Sequence, residues 1–164
     1  MKIIKEIIPY VVIILVVILI RSFIITPVRV SGSSMYPTLK DGDVVLLKKY
    51  DKNIERFDIV VCNYNDSKII KRVIGLPGET IKYVNGFLYK KKKKIEDISL
   101  NVETDDFYLE DLGYEIIPED YYFVLGDNRG ISKDSRIIGL ISMDDIDGVG
   151  VLRIFPFNKI GIIK

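Results

Sequence analysis

IKYVNGFLYK, residues 81–90, is the stretch whose reading decides the fold. Asn85-Gly86 stands between two short runs of aliphatic and aromatic residues. Asn-Gly in that setting is the strongest short signal for a two-residue type I′ hairpin, because both central residues must take positive φ. Working outward, similar runs recur at VVLL (44–47), FDIVVCNY (57–64), IIKRVIGL (69–76), YYFVL (121–125) and GVGVLRIF (148–155). They are β-branched and aromatic-rich, as strands are, and Pro77-Gly78 marks another turn. No long segment after residue 26 has helical periodicity, so residues 27–164 are expected to be all-β. Residues 96–120 are acidic and irregular (Glu103, Asp105, Asp106, Glu110, Asp111) and read as a surface loop or small insertion. Residues 82–120 are thus a hairpin with an acidic insertion. The five lysines at 90–94 read as a solvated hairpin tip rather than a site for nucleic acid or lipid.

The length, 164 residues, suits one compact domain with an appendage. Basic and acidic residues nearly cancel, 24 against 23, which gives no global reason to expect nucleic acid as a partner. The chain has no histidine, no tryptophan, no alanine and one cysteine. Absence of histidine excludes a histidine-based zinc site and a Ser-His-Asp triad within the chain. Cys62 cannot form an internal disulfide and reads as a small apolar strand residue.

Residues 7–20, IIPYVVIILVVILI, carry no charge. Counting on through Arg21 and Ser22 to residues 23–25 gives about the 20 residues that a bilayer core requires. Arg21 can snorkel into the headgroups. Lys2 and Lys5 precede the run, so the positive-inside rule sets the amino end in the cytoplasm. Residues 1–26 are therefore expected to be a cytoplasmic stub and single transmembrane helix, with 27–164 outside the cell membrane. A buried core helix would show a polar face. A cleavable signal peptide would need a small-residue site; an Ala-x-Ala site is impossible here. The only small-residue candidate, Ser31-Gly32-Ser33, lies inside a segment with chemistry of its own.

Three segments can carry that chemistry. VSGSSMYPTL (30–39) is a backbone-defined turn able to hold a hydroxyl rigidly, although alone it also reads as an ordinary turn or linker. It is not a nucleophile elbow, since Tyr36 stands where the later glycine would be. SKIIKRVIGLPGE (67–79) carries Lys71 and Arg72 in an apolar strand, where alternation leaves at least one charge facing inward or along an edge. Alone, Lys71 also reads as a strand-edge lysine. GDNRGISKDSRIIG (126–139) is dense in polar groups and alone would pass as a charged loop.

In this order, after an amino-terminal apolar run, the three blocks resemble the type I signal peptidases, in their short Gram-positive-like form. The resemblance covers nearly the whole chain. It implies a coiled antiparallel β-sheet catalytic domain with one N-terminal transmembrane helix, no cofactor and no metal. It also implies a serine endopeptidase that removes signal peptides from exported preproteins, cutting after small residues at the outer membrane surface. Ser34, the serine preceding Met35, matches the nucleophile, and Lys71 matches the general base. Ser132 matches the serine that orients the lysine amine. Asp134 and Arg136 match a structural ion pair; Asp127 and Arg129 match the GDNR turn, with Asp127 expected to pair with Arg72. Val30, Ile69, Ile70 and Met35 are expected walls of the substrate pockets. The Gram-negative pattern has a serine at the position of Gly32, so the second oxyanion donor is open, with the Gly32 amide or a water as candidates beside the Ser34 N–H. The lipid bilayer and the secretion translocon are further expected partners.

A free lysine titrates near ~10.4, but burial can lower that by roughly 3–5 units. Ile69, Ile70, Val73 and Ile74 are expected to supply the apolar surroundings. Ser34 lies nine residues beyond Ile25, at most about 30 Å of extended chain at ~3.3–3.6 Å per residue, which would tether the nucleophile near the membrane. The substrate is expected to bind extended beside residues 27–31 and 68–70. Two other readings share features: a self-cleaving repressor-type Ser-Lys protease, which lacks the anchor, and a non-catalytic membrane-tethered β-domain.

Overall fold

Strand-forming runs of this length cannot bury their apolar faces singly, and in this chain they assemble into two antiparallel sheets. The structure is a computed structural model that describes residues 2–49, 53–91, 93–95, 97 and 104–163. Within the first helix it describes the side chains of residues 5–19. Expectations about the side chains of Lys2 and Arg21, and about Lys92, Glu96 and Glu103, lie outside the described residues.

In chain order the helices are α1 (Lys2–Phe23) and α2 (Ser135–Ile138). The strands are β1 (Ile25–Arg29), β2 (Val44–Lys48), β3 (Ile59–Tyr64), β4 (Ser67–Gly75), β5 (Ile81–Val84) and β6 (Phe87–Lys90). They continue with β7 (Lys93–Ile95), β8 (Phe107–Tyr108), β9 (Tyr121–Leu125), β10 (Ile141–Ser142), β11 (Ile146–Phe155) and β12 (Gly161–Ile162). The larger sheet runs β1-β2-β11-β3-β4-β9-β10, with β12 beside β11; the smaller runs β7-β6-β5-β8. The chain is thus mostly antiparallel β, as expected.

The hairpin at Asn85-Gly86 forms as read: φ is +51° and +78° at the two residues, and Val84 faces Phe87 across the turn. The segment read as a loose acidic insertion is more structured than expected. Phe107 pairs with Tyr83, and Phe107, Leu109 and Ile117 join Ile81, Tyr83 and Leu88 in a buried cluster. The apolar residues of this segment are spaced too irregularly to show a strand period, yet Phe107, Leu109 and Ile117 are buried. Of the lysine run, Lys90 ends β6, Lys91 lies in the turn that follows, and Lys93 and Lys94 belong to β7. Lys90 pairs with Glu79, and the Lys94 ammonium lies over the Phe87 ring.

Helix α1 leads into β1 with Ile24 O accepting from Lys49 N–H at 3.1 Å. The large apolar side chains between Ile7 and Leu19 are all exposed. Among the described residues, however, no helix is long and apolar enough to cross a membrane, so the expected span is not established by the fold.

The larger sheet is covered on both faces. One face packs Val30, Met35, Leu39, Val45, Leu47, Ile59, Val61, Ile70 and Ile163; the other packs Val60, Cys62, Val73, Val124, Ile146 and Val149. Two-sided burial explains why both neighbouring charges on β4 are inside, Lys71 3% and Arg72 1% exposed, where alternation alone required only one.

Candidate active site

Ser34 sits in the turn after β1, and its position follows from what flanks it. Val30 N–H donates to Asp43 O and Gly42 N–H returns to Val30 O, closing the loop between β1 and β2. Met35 and Leu39 are buried in the core beneath, and Leu39 N–H donates to Met35 O at 2.8 Å. Gly32 takes φ +86°, a conformation that a side chain disfavours. The Gly32 N–H donates to Asp41 Oδ1 at 2.8 Å. It is therefore already engaged, and the expectation that it supplies the second oxyanion donor does not fit this geometry.

Lys71 reaches Ser34 from β4. Its Nζ donates to Ser34 Oγ at 2.9 Å, and a neutral amine in the same place would accept the hydroxyl proton. Strand alternation sets Ile69, Lys71 and Val73 on one face of β4 and Ile70, Arg72 and Ile74 on the other. The apolar neighbours of the lysine are thus Ile69, Val73, Val60 and Cys62, whose cluster this face joins. Ile70 and Ile74, expected beside them, belong to other clusters because the pleat turns them away. Burial pushes the Lys71 amine below the ordinary lysine value, opposed by the negative charges of Asp134 and Asp127. Burial likewise pushes the Cys62 thiol up to about 12, against the pull of Lys71; such a thiol is no nucleophile.

The third block wraps this pair. Arg72 forks onto Asp127 through Nε–Oδ1 at 2.8 Å and Nη2–Oδ2 at 2.7 Å, and its Nη1 donates to Phe57 O at 2.8 Å. Arg136 forks onto Asp134, with both contacts at 2.9 Å, and Asp134 Oδ2 also accepts the Gly126 N–H. Arg129 ties the block to the smaller sheet: Nε donates to Gly126 O, Nη2 to Asp97 Oδ2, and Nη1 to Thr104 and Tyr83. The Arg129 guanidinium is opposed by burial, yet Tyr83 and Asp97 raise its pKa further.

Ser132 is 4% exposed and its hydroxyl has no hydrogen-bond partner. The bond expected from it to Lys71 is not formed; the lysine amine is turned to Ser34 instead. Its hydroxyl lies against Gly126, where a Cβ would come within 2.1 Å of Ser132 Oγ and 2.6 Å of Ser34 O.

Asn128 was not singled out by the sequence. Its N–H donates to Ser34 O at 2.9 Å, its Nδ2 donates to Ser33 O at 3.2 Å, and its own carbonyl accepts from Ser132 N–H at 3.0 Å. The only signal for it in the sequence was its place inside the GDNR block.

A cleft of ≈110 Å³ opens beside Ser34 and Lys71, walled by residues 28–31 and Met35 on one side and 68–71 on the other. Val30, Met35, Ile69 and Ile70 all line it. Both walls are open sheet edges: β1 has β2 as its single neighbour, and β4 pairs with β9 only from Arg72 onward.

The family described as "Signal peptidase, peptidase S26" matches residues 3–155. The chain belongs to the signal peptidases of that family. It is accordingly a serine endopeptidase of the signal peptidase I kind. Signal peptidase I T of Bacillus subtilis is 42% identical over 89% of this chain and 82% of its own. Signal peptidase IB of Staphylococcus aureus is 39% identical over 86% and 83%. Among solved structures, a signal peptidase I from Enterococcus faecalis is 37% identical with a TM-score of 0.55, covering 59% of this chain and 96% of that one.

Proposed function

We propose that this chain removes N-terminal signal peptides from exported preproteins at the outer face of the cell membrane, with Ser34 as nucleophile and Lys71 as general base. The observation that carries the reading is the 2.9 Å contact between Lys71 Nζ and Ser34 Oγ, made by a lysine whose burial favours the neutral amine. The amine takes the Ser34 proton as Oγ attacks the scissile carbonyl, then returns it to the departing amine. A water, deprotonated by the same lysine, then releases the acyl group. The Ser34 N–H is the expected donor to the oxyanion. Asp127, Arg72, Arg129, Asp134 and Arg136 support the site without touching substrate, and Ser132 packs against Gly126 beside the nucleophile turn.

An extended peptide adding to the two open edges would satisfy their free backbone groups. In so small a cleft, Val30, Met35, Ile69 and Ile70 leave room for small side chains before the cut and refuse large ones. The family name supports signal-peptide-bearing preproteins as substrates. The exposed apolar wall of α1 needs a cover, and a bilayer crossed once, amino end in the cytoplasm, supplies one. The secretion translocon is the neighbour such a location implies.

The test is cleavage of an alanine-x-alanine preprotein by the full chain in detergent. Wild type should release the mature protein with its expected amino terminus. Ser34→Ala and Lys71→Ala should leave the preprotein whole. Cleavage by either variant at the wild-type rate would refute the dyad, and an uncut preprotein with all three proteins would favour a binding domain.

A further inference from the structure

Resting on that reading, we infer that Asn128 is a positioning residue that aims the oxyanion-binding N–H of Ser34. The peptide unit joining Ser33 to Ser34 is planar, with its carbonyl and N–H pointing in opposite directions. Whatever holds the Ser33 carbonyl therefore fixes the direction of the Ser34 N–H. Two donors hold it, Asn128 Nδ2 at 3.2 Å and Tyr36 N–H at 3.1 Å. The next peptide unit is held too, by Asn128 N–H on Ser34 O at 2.9 Å. One asparagine thus grips the peptide units on both sides of the nucleophile.

Close packing keeps the grip. A Cβ on Gly126 would meet both Ser34 O and the Ser132 side chain, so the loop presses against the nucleophile turn through a bare backbone. Gly126 is anchored in turn by Asp134 through its N–H and by Arg129 through its carbonyl. With the Gly32 amide committed to Asp41, the Ser34 N–H carries more of the oxyanion's charge, and its direction matters correspondingly more.

Asn128→Ala removes the side-chain bond and keeps the backbone one. Complete loss of an oxyanion donor lowers kcat by about 10²–10³-fold; a donor left to swing should cost less, about 10- to 100-fold in kcat, with KM within about twofold. Asn128→Asp is isosteric and sets a carboxylate against the Ser33 carbonyl, so it should lose more than the alanine variant. A substrate-like peptide aldehyde, whose adduct oxygen sits where the oxyanion forms, should weaken in step with kcat for Asn128→Ala. The cleaved product peptide should bind both proteins alike, and the pH of the rising limb, set by Lys71, should not move. Wild-type kcat in Asn128→Ala, or equal weakening of aldehyde and product, would overturn the inference. So would an aspartate variant as active as wild type. If Ser34→Ala itself cleaves normally, the dyad falls instead, which keeps the two failures apart.

Discussion

Asp127→Asn tests the energetics beneath the site. Arg72 is 1% and Asp127 0% exposed, and two short charge-assisted bonds join them in a fork. Asparagine keeps the shape but turns an NH₂ toward a guanidinium that only donates, leaving a buried cation without its counter-charge. Removing one partner of a buried pair costs about 3–5 kcal/mol. Two other acceptors of Arg72, the Phe57 carbonyl and the Thr38 hydroxyl, are neutral and do not replace the carboxylate. With an m-value of about 2 kcal/mol per molar urea, a loss of about 4 kcal/mol lowers the unfolding midpoint by about 2 M. The assay is urea unfolding of the full chain in detergent, followed by tyrosine fluorescence since the chain has no tryptophan. Arg72→Met combined with Asp127→Leu should recover most of the loss, because the desolvation cost of both charges disappears with them. A midpoint within about 0.5 M of wild type for the asparagine variant, roughly 1 kcal/mol at that slope, would refute the reasoning.

Lys71→Met should abolish cleavage yet stabilise the fold. The buried amine has a lowered pKa, so between that value and the ordinary lysine value the unfolded chain holds a proton the folded chain does not, and stability rises with pH. The methionine variant's advantage should therefore grow as pH falls through that window; urea midpoints at several pH values that differ by a constant would contradict it. Gly126→Ala should reduce kcat by about 10²-fold, since displacing reacting groups by about 1 Å costs that much; activity close to wild type would mean the loop yields freely. Ile70→Ala should admit larger residues before the cut, shifting relative kcat/KM toward them by about 10-fold or more, as measured with paired peptides.

Strand positions were legible because β-branched runs and Asn-Gly are local signals. The fate of residues 104–117 was not: Phe107, Leu109 and Ile117 reach the core through contacts with β5 and β6, and no short-range period announces such contacts. At the site, the neighbourhood of Ser34 and Lys71 came from the likeness of whole blocks to a family, since a serine turn and a strand lysine are each ordinary. The grip of Asn128 arises from loops meeting across a long sequence separation, and the commitment of Gly32 to Asp41 depends on how one short loop closes. Strand alternation does carry one detail, that Ile70 and Ile74 face away from the lysine they flank.

Lys71 and Arg72 are adjacent on β4 and serve opposite faces of the sheet. A slip of one residue in the pairing of β3 with β4 would exchange them, presenting to Ser34 a guanidinium that cannot give up its proton and to Asp127 an ammonium that cannot fork. Both losses would arrive together, so the strand tolerates no intermediate alignment. The turn at Asn65 and Asp66, where both residues take positive φ, thereby acts as the frame-keeper of the enzyme: a one-residue insertion or deletion there should silence it though every functional side chain is still encoded.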